Sequence, residues 1–204
     1  VLIEATSSMY IGNDPESTTD GANYNLGIGV TTLDAITTGD GNIAVGHDAL
    51  TANTTGEKNL AIGKGALDAA DTESNNIAIG YDALGGAVAG GEFNVAIGNN
   101  ALDALTSGDS NIAVGHDALT AHTTGHRNLA IGIGALDAAD TENDNIAIGY
   151  DALGGAVAEG EFNVAIGNYS LDALTAGDYN VAVGDNTLSA NTTGSYNTAT
   201  GSWA

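Results

Sequence analysis

The amino-acid sequence predicts an all-β chain wound as a parallel β-solenoid, or β-roll, of 17–18 residues per coil. Three observations predict it. A five-residue pattern, Asn–apolar–small–apolar–Gly, recurs from one end of the chain to the other. Within the pattern apolar and small residues alternate as in a half-buried strand. The segments between the repeats are too short and too glycine-punctuated to nucleate a helix. A unit of this size cannot bury an apolar face alone, so it must stack on its neighbours.

The anchor residues are Asn25, Asn42, Asn59, Asn76, Asn94, Asn111, Asn128, Asn145, Asn163, Asn180 and Asn197. Their spacing is 17, lengthened to 18 once in every four units, which makes a super-repeat of 69 residues. Residues 42–110 and 111–179 differ at 11 of 69 positions, the mark of a duplication. The chain therefore divides into an N-terminal strand and degenerate first coil over 1–24, a cap or assembly segment, and a repeat domain over 25–204.

One unit reads N-φ-A-φ-G-x-x-A-L-x-A-x-T-T-G-x-x, numbered 1 to 17. Positions 2 and 4 carry Ile, Val or Leu, which suit a pleated surface and are expected to form the core. Gly at position 5 marks the first turn. Leu at position 9, as in Leu33, Leu50 and Leu67, is expected on a second short strand. Thr-Thr-Gly makes the second turn. Stacking turns position 1 into a ladder of asparagine amides along the axis. Position 3 is a column of small residues that includes Ala44, Ala61 and Ala78. It calls for close approach by either the opposite wall of a thin roll or a second subunit.

At the N-terminus, Val1, Leu2 and Ile3 form an apolar strand outside the repeat, and Pro15 and Glu16 replace the Ala-Leu of a first coil. At the C-terminus, Thr198 and Thr200 take the two apolar positions and Trp203 follows them. An unpaired edge recruits another strand, so these residues are candidates for docking one chain on the next. The chain opens at Val1 rather than Met, as a processed chain or a fragment would.

Charge excludes several partners. The chain carries 26 acidic residues against three basic ones, a net charge of −23. Such a polyanion suits neither nucleic acid nor an anionic membrane surface. With no Cys there is no disulfide framework or thiolate site, and no apolar run is long enough to span a membrane. An apolar fraction of 43% is too high for a disordered acidic tail.

The acids are patterned. Position 10 is Asp in alternate coils (Asp34, Asp68, Asp103, Asp137, Asp172), and position 7 is Asp in the intervening ones (Asp48, Asp82, Asp117, Asp151). The stagger limits repulsion between coils about 4.8 Å apart. Its plain reading is a solvated face. Its functional reading makes Asp48, Asp68, Asp82, Asp103, Asp117, Asp137 and Asp151 calcium ligands bridging coils. His47 and His116 share a column, while His122 and His126 occur in one copy only and read as drift in an exposed turn. Tyr24, Phe93 and Phe162 recur just before an anchor Asn, where a ring packs in the turn or stacks on a sugar. Asn53-Thr54-Thr55 and Asn191-Thr192-Thr193 match the glycosylation sequon. No Ser, His and Asp combination recurs with the coil, and no cleft is implied, so the chain reads as non-enzymatic. The Thr columns are broken at Asp71, which opposes an ice-binding face.

The NxAIG strand followed by xAL resembles the head repeats of trimeric autotransporter adhesins and the repeat arrays of phage tail fibres. Such arrays carry runs like NIAVGHDALTANTTGEKNLAIG, which stands at residues 42–63, and the resemblance covers roughly residues 8–204. It implies a left-handed parallel β-roll, a parallel homotrimer, an extracellular or virion location, and attachment or reach without catalysis. The expected function is a self-assembling structural fibre, as a homotrimeric shaft or a head-to-tail filament. The alternative is an adhesive module that binds cell-surface glycans. No cofactor beyond calcium is expected.

Overall fold

The computed structural model describes residues 2–3, 8–12, 21–86, 90–155 and 160–204. Among these there is no helix. One sheet of thirteen strands runs in strict chain order. β1 (Leu2–Ile3) is followed by β2 (Met9–Ile11), and each later strand falls on the φ-A-φ triplet of one coil, ending with β13 (Thr198–Thr200). β2 to β13 are parallel and in register, so Ile43, Ala44 and Val45 lie over Leu60, Ala61 and Ile62. The expected β-solenoid of 17–18-residue coils is the observed architecture. At about 4.8 Å per strand the stack is about 50 Å long.

β1 departs from the parallel order. Leu2 pairs with Tyr10 and Ile3 with Met9, antiparallel. The segment therefore covers the first coil of its own chain, with Leu2 and Ile3 as strand partners in cis and β1 as the outermost strand of the sheet. Val1, Pro15 and Glu16 lie outside the described residues.

The alternation along each strand is the reverse of the expected one. The central small residue is fully buried, as at Ala44, Ala61 and Ala78, while the flanking aliphatics stay partly exposed. The roll is thin, and its interior has room for Ala and Asn on the sheet wall because Leu fills it from the other. Leu33, Leu50, Leu67, Leu84, Leu102, Leu119, Leu136, Leu153 and Leu171 are all completely buried. The small column thus faces the opposite wall, and Ala44, Ala61 and Ala78 do not reach a subunit axis. Positions 2 and 4 are not the core.

The Leu wall is not a second strand. It is a run of turns in which every one of these Leu residues has φ near +50°. A left-handed conformation costs a side-chain-bearing residue about 1–2 kcal/mol. Full burial of Leu returns about 2 kcal/mol. The backbone still bonds from coil to coil, with Leu33 N–H donating to Ala49 C=O at 3.2 Å and Leu50 N–H to Ala66 C=O at 3.1 Å.

The asparagine column is the spine of the roll. In each coil the anchor N–H donates to the side-chain oxygen of the preceding anchor, at 2.9 Å from Asn59 to Asn42 and 3.0 Å from Asn128 to Asn111. The amide nitrogen donates to the carbonyl at position 15 of its own coil, at 2.8 Å from Asn42 to Gly56 and from Asn111 to Gly125. Ser8 starts the column in place of Asn, its hydroxyl accepting from Asn25 N–H at 3.1 Å. Beside it, Gly98 has φ +139°, and a Cβ there would overlap the carbonyl of Gly115 in the next coil. Only glycine permits that approach.

Asn111→Ala strips the acceptor from Asn128 N–H and the donor from Gly125 C=O, leaving two buried backbone groups unpaired. Denaturant unfolding followed by circular dichroism should show a loss of about 2–5 kcal/mol. Asn197→Ala, on the exposed last coil, should lose less than about 1 kcal/mol.

Candidate functional site

Because Ala faces inward, the residues on either side of it face outward. The result is a ladder of aliphatic pairs on the sheet's outer face, from Met9 and Ile11 through Val181 and Val183, closed by Thr198 and Thr200. Ile43, Ile62, Ile97, Ile112, Ile131, Ile166 and Val183 are each between 38% and 39% exposed, about as much as neighbours one strand spacing away allow. About 50 Å long and about 10 Å wide, the stripe covers on the order of 500 Å², at the upper end of what monomers expose.

Charge is distributed around this stripe, not within it. Positions 2 and 4 carry no ionisable residue in any coil. The flanking columns, position 17 before the anchor and position 6 after the glycine, hold all three basic residues of the chain: Lys58, Arg127 and Lys64. Only two acids, Asp144 and Asp185, share those columns. Arg127 binds Asp144 through both ends of its guanidinium, Nε to Oδ1 at 2.6 Å and Nη2 to Oδ2 at 2.7 Å. This pairing holds the Asp144 carboxyl below the usual carboxylate range. Lys64 Nζ lies 5.4 Å from the Tyr81 ring centre. Exposed rings complete the borders: Tyr24, Phe93, Phe162, Tyr179 and Tyr196 on one side, Tyr81 and Tyr150 on the other. The face is aliphatic in the middle, aromatic at its margins and near neutral overall, on a chain of net charge −23.

The acidic columns run along the turns. Thr31 donates its hydroxyl to Asp48, and Asn100 Nδ2 donates to Asp117 at 3.0 Å. Burial, then repulsion from Asp82 and Asp48, pushes the Asp68 carboxyl above the usual range. Burial, then Asp82 and Asp117, does the same at Asp103, and burial, then Asp151, at Asp137. Asp48, Asp82, Asp117 and Asp151 are thus neighbours of Asp68, Asp103 and Asp137, as the stagger predicts. They form a ladder rather than a cage. Among the described residues no three His, Cys, Asp or Glu side chains converge as metal ligands. Of the calcium candidates, Asp48 and Asp117 accept coil-to-coil bonds from a hydroxyl and an amide.

Several other candidates find their places. His47 and His116 pair with the adjacent Asp48 and Asp117, Nδ1 to Oδ2 at 2.5 and 2.7 Å, on an open surface. Asn53 is fully buried with Nδ2 donating to Gly56 C=O at 3.1 Å, so this sequon is closed to a glycan. Phe162, Tyr179 and Tyr196 stack face to face, at 4.9 and 5.2 Å between ring centres. The faces between them are therefore not open to a sugar. Trp203 is 76% exposed, its N–H bonded to Asp185 C=O at 2.9 Å. Comparison with protein-family models, with curated proteins and with solved structures finds no match to the chain.

His122 is the residue the sequence concealed. It is fully buried, not in an exposed turn. Its Nε2 lies 3.2 Å from Asn128 Nδ2, whose hydrogens go to Asn111 Oδ1 and Glu142 C=O. Its Nδ1 has no partner. Burial holds the imidazole below its ordinary pKa, against weaker support from the Gly125 and Ala139 carbonyls. A protonated ring would set a donor against the asparagine spine. The signal was the swap at position 12, which is Asn53 in one copy and His122 in the other.

The folded-state pKa of His122 lies below its unfolded value, so its neutral form contributes stability above the ordinary imidazole pKa and loses it as pH falls. The melting temperature of the unmodified protein should drop between about pH 7 and about pH 5, on either side of about 6.5. His122→Asn should lose less over the same range. The raised acids act in the opposite sense, since their charged forms oppose folding at neutral pH. Asp103→Asn should therefore raise the melting temperature at about pH 7, by a few degrees.

Proposed function

We propose that the chain is a structural rod without catalytic activity, and that copies of it associate laterally through the aliphatic face of the sheet to build a fibre. One observation carries this reading: the only long uncharged surface of the described solenoid is the outward Ile/Val/Leu ladder. The surfaces away from it carry nearly all the negative charge and repel their like. A second copy is the partner whose own stripe matches in length, spacing and chemistry. Strands repeating at the same interval let the aliphatic pairs of one rod sit between those of the next. The stripe with its aromatic borders approaches the ~800 Å² per partner of a stable interface. Lys58, Lys64 and Arg127 sit at the edge, where they can meet the acidic turns of a neighbour and fix its position.

This reading accords with the resemblance to adhesin heads and tail fibres, which implies a homotrimer on a cell or virion exterior. It moves the association surface from the Ala column to positions 2 and 4. No ligand or metal is needed for it. Thr198 and Thr200 would break the stripe at the last coil, so lateral contact is favoured over the aliphatic strands.

Ile97→Glu combined with Ile131→Glu places two carboxylates in the middle of the stripe without touching the interior. The unmodified protein should sediment as an oligomer, and the double variant as a monomer with an unchanged circular dichroism spectrum. The loss of association should be at least about 2 kcal/mol. A monomeric unmodified protein at high concentration would end the proposal.

A further inference from the structure

The aromatic border carries redox chemistry of its own, apart from the contact area it lends to the association proposed above. Phe162, Tyr179 and Tyr196 occupy position 17 of successive coils, so one coil spacing separates each ring from the next. The Tyr179 and Tyr196 rings are 5.2 Å apart at their centres and inclined by only 7°. Both are open to solvent, 48% and 77% exposed. Parallel rings on one column, with backbones held in register by the sheet, hold the two phenols side by side at one coil spacing. Their φ angles, 55° and 60°, direct both side chains away from the roll in the same sense. The residues 69 positions earlier are Ser110 and Arg127, so the pair is peculiar to this end of the rod.

We propose that Tyr179 and Tyr196 are an oxidative cross-linking site, which a one-electron oxidant of the peroxidase or photosensitised metal–persulfate class converts to an intrachain dityrosine. Each phenol gives one electron to the oxidant and one proton to water. The two phenoxyl radicals then form one carbon–carbon bond between their ortho positions. The two hydrogens on those carbons move to the oxygens, restoring both phenols. The product has lost two hydrogen atoms, and two equivalents of oxidant are reduced. The bond ties the coil 163–179 to the coil 180–196 on their outer side, beside the hydrogen bond from Tyr196 N–H to Asp178 C=O at 2.9 Å. Phe162 stacks below at 4.9 Å but has no hydroxyl to oxidise, so the linkage stops at one pair. Tyr150 and Tyr169, although 5.3 Å apart, meet edge to face at 74° and lack the parallel stack.

The test is brief illumination of the dilute protein of residues 1–204 with tris(bipyridine)ruthenium and persulfate, using a mixture of ¹⁴N- and ¹⁵N-labelled chains. Cleavage before aspartate places Tyr150, Tyr169, Tyr179 and Tyr196 on the separate peptides 144–150, 151–171, 178–184 and 185–204. The expected product joins 178–184 to 185–204 with the loss of two hydrogens, within chains of one isotope only. Dityrosine fluorescence should rise with it and the melting temperature should increase. Tyr179→Phe should keep the circular dichroism spectrum and lose most of the fluorescence. Linked peptides of mixed isotope alone, or dityrosine dominated by Tyr150 and Tyr169, would overturn the proposal. So would recovery of 178–184 and 185–204 unlinked while the other tyrosines react.

Discussion

Everything in this fold depends on an amide held at one place in every coil. The anchor asparagine faces the interior, where an unpaired polar group costs about 1–3 kcal/mol. Its oxygen takes the backbone N–H of the next anchor, and its nitrogen takes a carbonyl from the far side of its own coil. One side chain thereby fixes the rise between coils and the width of the loop at once. No other residue type offers an acceptor and two donors on so short a stem. Asp lacks the donor, and Gln is one methylene too long. Replacement of the first anchor by Ser8 preserves only the acceptor half of the arrangement, at the coil where the stack begins.

The thinness that follows from this ladder determines the rest. With Asn and Ala on the sheet wall, the gap across the roll takes one Leu per coil and little else. To reach it, Leu adopts a left-handed backbone, and so do the residues at positions 7 and 17. A sequence full of αL residues other than glycine would be strained as a monomeric loop. Here each is repeated at the next coil with the same geometry, so hydrogen bonds between coils maintain it. The strain is bearable because the structure is periodic, and duplication of a 69-residue block is an economical way to obtain that periodicity.

The coil length, the parallel order and the asparagine spine were legible in the sequence because each is a statement about period. The direction of the strand was not. N-φ-A-φ-G alternates, and alternation alone says that two faces differ without saying which is inside. Hydrophobicity pointed to Ile and Val, but volume decided for Ala, because the Leu of the opposite wall had already claimed the space. The second wall was misjudged for a related reason: A-L-x-A has the residues of a short strand, while its backbone is a chain of turns. His122 was missed because substitution in a single repeat looks like surface drift. Column position, rather than residue type, indicates burial in such a chain, and position 12 holds Ile36, Leu105 and Leu174 as well.

Turning the strands over also changes the meaning of the charge. If Ile and Val were inside, the outer surface would be acidic on every side and rods would repel from any approach. With them outside, the repulsion becomes directional. Acidic turns keep neighbours away from the Leu wall, and an uncharged sheet face is left open between two borders that contain every cation of the chain. In the proposed fibre, a net charge of −23 serves order, since it suppresses all lateral contacts but one. The same columns that make the acids repel, pushing Asp68 and Asp103 upward, are what give the aliphatic face its exclusivity. On the proposed reading, the stability given up within the coil stack makes contact between stacks specific.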